Sequence, residues 1–476
     1  MIKEFDKLWL STIDAFKQAR IGERARYLAY GAITCLGRHT MTGMLTASGQ
    51  QFTDWSSAYR IFGKDRVDTE KLFDVARQNV LQELPSEQMI IAHLDDTILK
   101  KTGKKVVGTA WRRDPLGPPF HTNFIWGQRF LQISMALPGQ EGNCQSKAIP
   151  VDFYHCPTVK KPGKLAEPHQ VQSFKEQQRV AKLSNQGSLR IQELRNKLDV
   201  QGAEKRQLVL SVDGSYTNRT VLKSLPKGVT LIGRIRKDTK LYLLPNQQSG
   251  AGRKKLYGQQ LPTPEQIRQS DQFPWQKVRA WAAGKLHDFD VKIIRDVRWR
   301  AAGKIHDMQL VVIRPLGYRL TKNSKMLYRQ PAYLLCTDGN LNLDKLLQAY
   351  LWRWEIEVNF RDEKTLLGCG QAQVRGEKAV KNLPAFITAM YSFIHLAAHR
   401  ACQKRNASLL LPRPKWYPAK PEQRITSSEI VNLFRSQLWL KDAKSNFSSF
   451  VKKQHEHKSL RNITDPLIAA ILYARK

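Results

Sequence analysis

Along the first 85 residues, apolar positions recur at helical spacing, with Phe5, Leu8, Trp9, Ile13 and Phe16 on one stripe. Residues 1–85 are therefore predicted to be helical. Inside them, residues 40–47, the pair Ser48-Gly49 and residues 53–62 follow a helix–turn–helix layout. That layout serves DNA reading, and plain helical packing produces it too. From residue 89 the pattern shortens. The run 89–94 is apolar, bounded by Glu87-Gln88 and Asp95-Asp96, and predicts a buried strand. Residues 106–111 and 130–137 suit strands, with a Pro- and Gly-rich loop over 115–119 between them. Residues 171–199 are charged, rich in helix formers and free of proline, and predict one helix. A buried strand at 207–212 ends on Asp213, and 229–235 is a further strand.

The pattern then breaks. Residues 237–340 carry alternating runs, such as 291–294 and 308–313, separated by Gly and Pro, and read as a β-rich insertion. A long helix is predicted over about 342–367 and a strongly apolar one over 384–400, followed by a mixed tail with a Pro-rich break at 411–421. Three strands, a crossover helix and more strands make an α/β fold, a mixed sheet covered by helices. This is also the order of a ribonuclease-H-like core. The expected division is a helical DNA-binding domain over 1–85, the first part of the core over 86–236, the insertion over 237–340, the second part of the core over 341–400 and a helical C-terminal region over 401–476.

Charge changes the picture. Lys and Arg total 78 against 41 Asp and Glu in 476 residues, a formal net charge of +37. Such self-repulsion is poorly carried unless a polyanion neutralises it, and nucleic acid is the obvious one. The insertion alone holds 19 basic against 8 acidic residues. The cysteines, Cys35, Cys144, Cys156, Cys336, Cys369 and Cys402, form no C-x-x-C pair, which argues against a zinc finger and for buried, reduced thiols. Glu4 and Asp6 stand where a signal peptide would be basic, and the longest uncharged stretch, 385–398, is too short to span a bilayer. A cytoplasmic protein without membrane contact is expected.

The candidate chemistry lies in carboxylates. Two predicted strands run into acids, one into Asp95-Asp96-Thr97 and one into Asp213-Gly214-Ser215-Tyr216, where α/β sheets place ligand sites. Taken singly, each is also an ordinary turn residue or helix cap. On the long helix, Tyr350, Arg353, Glu357 and Lys364 fall at about 0°, 300°, 340° and 320°, a single polar face on an otherwise apolar helix. An Arg353–Glu357 pair on a solvated stripe would give the same pattern. Three gathered carboxylates repel and stay ionised only beside cations. Mg²⁺ suits oxygen ligands, and two such ions roughly 3.5–4 Å apart support in-line displacement at phosphorus. Lys100, Lys101, Lys104 and Lys105 follow the first acid and could hold a phosphodiester backbone.

The helix reads Y-L-W-R-W-E-I-E-V-N-F-R-D-E-K over 350–364. This resembles Y-x2-R-x3-E-x6-K, the signature of a group of bacterial insertion-sequence transposases of the DDE superfamily. D-D-T at 95–97 is similar to that group's D-x-T, and D-G-S-Y at 213–216 is close to its D-x-G-[YF], with Gly and Ser out of the usual order. The D-x-T spacing favours Asp95 as the first ligand, with Asp96 left open. Arg234 looks like the basic residue that follows on the next strand.

The resemblance, which runs from about 90 to 365, implies a ribonuclease-H-like core with a β-rich insertion before the last acid. It implies cut-and-paste transposition, with Asp95, Asp213 and Glu357 binding Mg²⁺ (Mn²⁺ as substitute) and Tyr350, Arg353, Lys364 and Arg234 on the DNA. The partners it implies are double-stranded DNA, as terminal inverted repeats and target, and a second copy in a homodimer, at the bacterial nucleoid. Related enzymes stack an insertion Trp on a flipped base, and Trp275, Trp281 and Trp299 are the candidates. The rival expectations are a nuclease on the same core without strand transfer and a repressor that binds ends without cutting.

Overall fold

The computed structural model describes residues 1–114, 117, 121–138, 145–245, 254–303, 305–319, 321, 323–403 and 425–452. Five helices open the chain: α1 (Ile2–Leu10), α2 (Ala19–Thr34), α3 (Met41–Ala47), α4 (Trp55–Gly63) and α5 (Thr69–Glu83). Four strands follow: β1 (Ile90–Lys100), β2 (Ala110–Arg113), β3 (Phe124–Pro138) and β4 (Ser146–His155). After them come α6 (Pro168–Val180), α7 (Leu183–Leu198), β5 (Leu208–Val212), α8 (Arg219–Lys223) and β6 (Val229–Arg234). The expected insertion holds β7 (Tyr242–Leu243), α9 (Pro264–Gln269), β8 (Gln276–Ala282), β9 (Lys285–Arg298), β10 (Met308–Ile313), β11 (Gly317–Tyr318), β12 (Leu327–Tyr328) and β13 (Ala332–Cys336). The chain closes with α10 (Leu343–Trp352), α11 (Trp354–Leu366), α12 (Glu377–Gln403) and α13 (Ser427–Lys452).

The fold is the mixed α/β class that the pattern predicts. Its centre is β4-β3-β1-β5-β6, with β3 antiparallel to β1 and β4, and β1, β5 and β6 parallel. That order is the ribonuclease-H-like one. The sheet does not stop there: β13 pairs with β6, β10 with β13, and β9 with β10, so among the described residues the insertion extends the same sheet to 11 strands. One apolar core joins the N-terminal helices, α12, α13 and much of the sheet, through Phe5, Leu28, Phe62, Phe386, Phe393 and Phe434. A second core lies under α10, where Leu346, Leu347 and Trp352 cover Val209, Ile232 and Val311.

Several elements differ from their sequence-based bounds, each for a local reason. β1 does not end at residue 94. Its parallel neighbour β5 stops at Val212, opposite Leu94, while β3 keeps pairing on to Lys100 opposite Gly127. The strand expected over 106–111 begins only at Ala110, because residues 106–109 turn through Gly108, whose φ is 77°. β4 is a fourth strand before the crossover. Its Pro150 hides it in the sequence, and the structure accommodates that proline on an edge strand beside a bulge in the pairing with β3. The single helix expected over 171–199 is two. The Asn185 and Gln186 amides donate to the carbonyls of Arg179 and Val180, closing the end of α6. The apolar helix expected over 384–400 starts earlier, at Glu377, and carries Pro384 inside it.

The helix expected over 342–367 is nearly continuous. It tightens at Arg353 through bonds from Arg353 N to Tyr350 O and from Ile356 N to Arg353 O, which divide α10 from α11. Of the loop over 115–119 only Gly117 is described, and the Pro-rich break at 411–421 lies outside the described residues. Cys35, Cys156, Cys336 and Cys369 are buried free thiols.

Glu363 on α11 is fully enclosed, and burial pushes its carboxyl up to about 8. Hydrogen bonds from Gln132 and Thr388 oppose the rise without cancelling it. A carboxyl raised from its ordinary value keeps its proton in the folded chain and loses it in the unfolded one. Its contribution is complete below about pH 4.5 and is lost as pH rises through about 8. Glu363→Gln should therefore flatten the loss of stability between those limits, on the order of a few kcal/mol at the alkaline end. Urea melts at the two pH values would check this, and an unchanged slope would refute it.

Candidate active site

Register brings the two strand acids together. Leu94 on β1 stands opposite Val212 on β5, so Asp95 and Asp213 follow on adjacent parallel strands, one step beyond the last shared pair. Neighbouring strands lie about 4.8 Å apart. Asp213 leaves the sheet into a tight turn. Its carboxylate accepts from Ser215 N at 2.8 Å and from Ser215 Oγ at 3.2 Å, and Thr217 Oγ1 donates to its carbonyl at 2.9 Å. The turn folds back onto Gly233, where a Cβ would lie 2.0 Å from Thr217 Oγ1. That contact accounts for glycine between Ile232 and Arg234.

Alternation separates Asp95 from Asp96. His93, Asp95 and Thr97 point to the face that carries α10 and α11, whereas Leu94 and Asp96 point to the face that carries α7. On the first face Arg353 reaches Asp95 at 3.3 Å and Glu357 at 3.2 Å. Glu357 sits one helical turn beyond Arg353 and is the more exposed, at 36% against 17% for Asp95. Lys364 Nζ donates to Thr97 Oγ1 at 2.6 Å, which fastens the end of α11 to β1. The Tyr350 ring lies 5.8 Å from the Arg353 guanidinium. The four helix residues thus share the face that holds Asp95. On the opposite face Asp96 accepts from Tyr216 Oη at 2.8 Å and pairs with Arg129 at 3.3 Å.

The electrostatics follow this geometry. Burial, then the charge of Asp213, raises the Asp95 carboxyl to about 7, with Arg353 opposing. Burial also raises Glu357, again against Arg353, and Asp213 adds to the rise. Among the described residues no three His, Cys, Asp or Glu side chains close around one point. The Arg353 guanidinium lies between Asp95 and Glu357 and supplies the positive charge there. The donor set is all carboxylate oxygen, which fits Mg²⁺ or Mn²⁺ rather than zinc, and the guanidinium occupies a cation's place between two of the donors.

The remaining expected residues divide. Arg234 ends β6 and donates to Pro331 O at 3.3 Å. It lines a cleft of about 760 Å³ with Gly214, Arg236, Arg268 and Trp299. Sequence reasoning did not find this cleft, because its walls come from distant parts of the chain. Trp275 instead packs under Lys292 and Arg314, and the backbone of Trp281 exchanges hydrogen bonds with Gln348. Of the lysines after the first acid, Lys101 turns inward to Gly370 O at 2.7 Å, while Lys104 and Lys105 are exposed.

A family model described as DDE superfamily endonuclease matches residues 14–303, more than half of the chain. The match includes Asp95 and Asp213 and stops before Glu357. No curated protein matches.

Burial raises both the Asp95 and the Asp96 carboxyl, and substitutions at the two differ in what they leave stranded. In metal-free protein, Asp95→Asn should raise thermal stability, because it removes a buried charge facing Asp213. Asp96→Ala should lower stability by about 1–3 kcal/mol, because it strands the Tyr216 hydroxyl and Arg129. Denaturant melts of both variants check this. Equal destabilisation would refute the division.

Proposed function

The chain belongs to the DDE superfamily endonucleases, and from that premise we propose that it is a cut-and-paste transposase of the insertion-sequence group with the Y-x2-R-x3-E-x6-K signature. Membership implies a nuclease that acts on DNA. Among the described residues no helix is long and apolar enough to cross a membrane. The observation that carries the finer reading is the approach of Asp95 and Asp213, with the Arg353–Glu357 pair, on one face of the sheet.

In this reading Asp95, Asp213 and Glu357 hold divalent metal, Mg²⁺ with Mn²⁺ as substitute. When bound, the metal supplies charge stabilisation at the scissile phosphate and activation of the attacking oxygen. The chain's own residues do the rest. Ser215 orients the Asp213 carboxylate, and Arg353 restrains Asp95 and Glu357 until a phosphate competes for its guanidinium. Tyr350, Lys364 and Arg234 extend the polar face toward the DNA backbone. In cleavage, water bonds to phosphorus as the bond to the 3′ oxygen breaks and that oxygen takes up a proton. In joining, the freed 3′ hydroxyl attacks target DNA in the same way. A homodimer on paired ends serves both steps. Trp299, beside Arg234 in the cleft next to the Asp213 turn, is the insertion tryptophan best placed to receive a flipped base.

The test uses DNA carrying the inverted repeats that flank the coding sequence, a target plasmid and Mg²⁺ or Mn²⁺. Wild type should cut and join. Asp95→Ala, Asp213→Ala and Glu357→Ala should each abolish cleavage while binding persists, and Asp96→Ala should retain cleavage in whatever fraction folds. Cutting by all three triad variants would overturn the site. Cutting without joining would make the protein a nuclease, and binding without cutting would make it a repressor.

A further inference from the structure

The strands β2 and β3 form an antiparallel ribbon beyond the candidate site, with Trp111 opposite Trp126 and Arg113 opposite Phe124. Directly paired residues share a face, as do positions two apart on one strand. Trp111, Arg113, Phe124 and Trp126 therefore form one surface of three aromatics and a guanidinium. Trp111 is 66% and Phe124 60% exposed, which is unusual for residues of this size. The ribbon is not loose: the Trp111 and Trp126 rings meet edge to face at 5.5 Å, and Trp126 Nε1 donates to Gly103 O at 3.2 Å. Arg112, on the reverse side, donates to Thr158 Oγ1 at 2.6 Å.

Strand parity connects this surface to the acids. Gln132 on β3 stands opposite Asp95, and Trp126 lies six residues along the same strand, an even number. The aromatic surface is thus on the Asp95 face, about 20 Å further along at about 3.3 Å per residue. Between Lys100 and Arg129 the chain has seven basic residues and one acid, Asp114, which pairs with Lys100 at 3.6 Å. Lys104, Lys105 and Arg113 stand exposed around the aromatics. Aromatics set among cations are how proteins bind unpaired nucleic acid, the cations on phosphate and the rings on bases.

We infer that the β2–β3 ribbon is a second DNA-contact surface that stacks on unpaired bases about 20 Å from the cut. The inference rests on the nuclease reading above. It names the form of DNA this face takes, a duplex opened or frayed beside the reacting phosphate.

The test compares binding of a fluorescein-labelled 30-base-pair duplex with that of a forked DNA of the same sequence carrying an unpaired arm, both without metal. Wild type should bind the fork about tenfold more tightly. Trp111→Ala and Phe124→Ala should each erase most of that preference while duplex affinity stays within about twofold, and Trp111→Phe should retain it. Both alanine positions are exposed, and circular dichroism confirms their folding. Wild type binding fork and duplex equally, or variants keeping the preference, would overturn the inference. So would a dimer seen by light scattering that Trp111→Ala dissolves, since the face would then be a protein interface. Metal-dependent cleavage by wild type and its loss in Asp213→Ala, measured alongside, report on the nuclease reading separately.

Discussion

The site depends on one constraint: β1 is held by two neighbours of different length. On one side β5 ends at Val212, and on the other β3 carries the pairing six residues further along β1. The step this leaves in the sheet is where Asp95 and Asp213 meet. A strand released by both neighbours at that point would fray. A strand paired on both sides would enclose Asp95. β1 is kept rigid by β3 and opened by the end of β5, so its acid is fixed in direction and still reachable.

The step has an energetic cost that the surrounding structure compensates in part. Burial and the charge of Asp213 both act against ionised Asp95, and Arg353 opposes them. Arg353 offsets only part of that cost, since the Asp95 carboxyl stays raised beside it. α11 must also hold its position. Asn359 donates to Ser134 and to Ala148 O, Tyr391 donates to Asn359, and Lys364 donates to Thr97, so the helix is fixed to β1, β3, β4 and α12. Burial acts on both faces of β1: it raises the Asp96 carboxyl as well, and Arg129 and Tyr216 oppose that rise.

Much of this was legible in the sequence, and the misses have physical causes. The buried strands before Asp95 and Asp213 showed as apolar runs, and Tyr350, Arg353, Glu357 and Lys364 showed as one helical face, because both patterns depend on local periodicity. The length of β1 did not show. Past Leu94 three polar residues, Asp95 to Thr97, interrupt the apolar run before Ile98 and Leu99, and the pairing there comes from β3, 27 to 37 residues away. That length is what separates Asp95 from Asp96, since alternation assigns faces only along a continuing strand. β4 was hidden by Pro150, whose tolerance depends on an edge position that only the whole sheet defines. The cleft with Arg234 and Trp299 left no local trace, because its walls come from the turn after β5, the end of β6, α9, Trp299 and residues between 315 and 333.

The insertion is more than a separate basic module. Its outer strands extend the sheet, and β8 reaches α10 directly: Trp281 N donates to Gln348 Oε1 at 2.8 Å, and Gln348 Nε2 returns to Trp281 O at 3.1 Å. Gln348 is buried, so each of these bonds is costly to leave unmade. α10 continues into α11 with only the tightening at Arg353, so a shift of α10 carries Arg353 and Glu357 with it. The insertion therefore bears on the position of Glu357. A carboxylate placed by a helix needs that helix fixed at both ends. Lys364 and Asn359 fix one end and the insertion fixes the other, which gives 237–340 a structural reason to interrupt the chain just before the helix it holds.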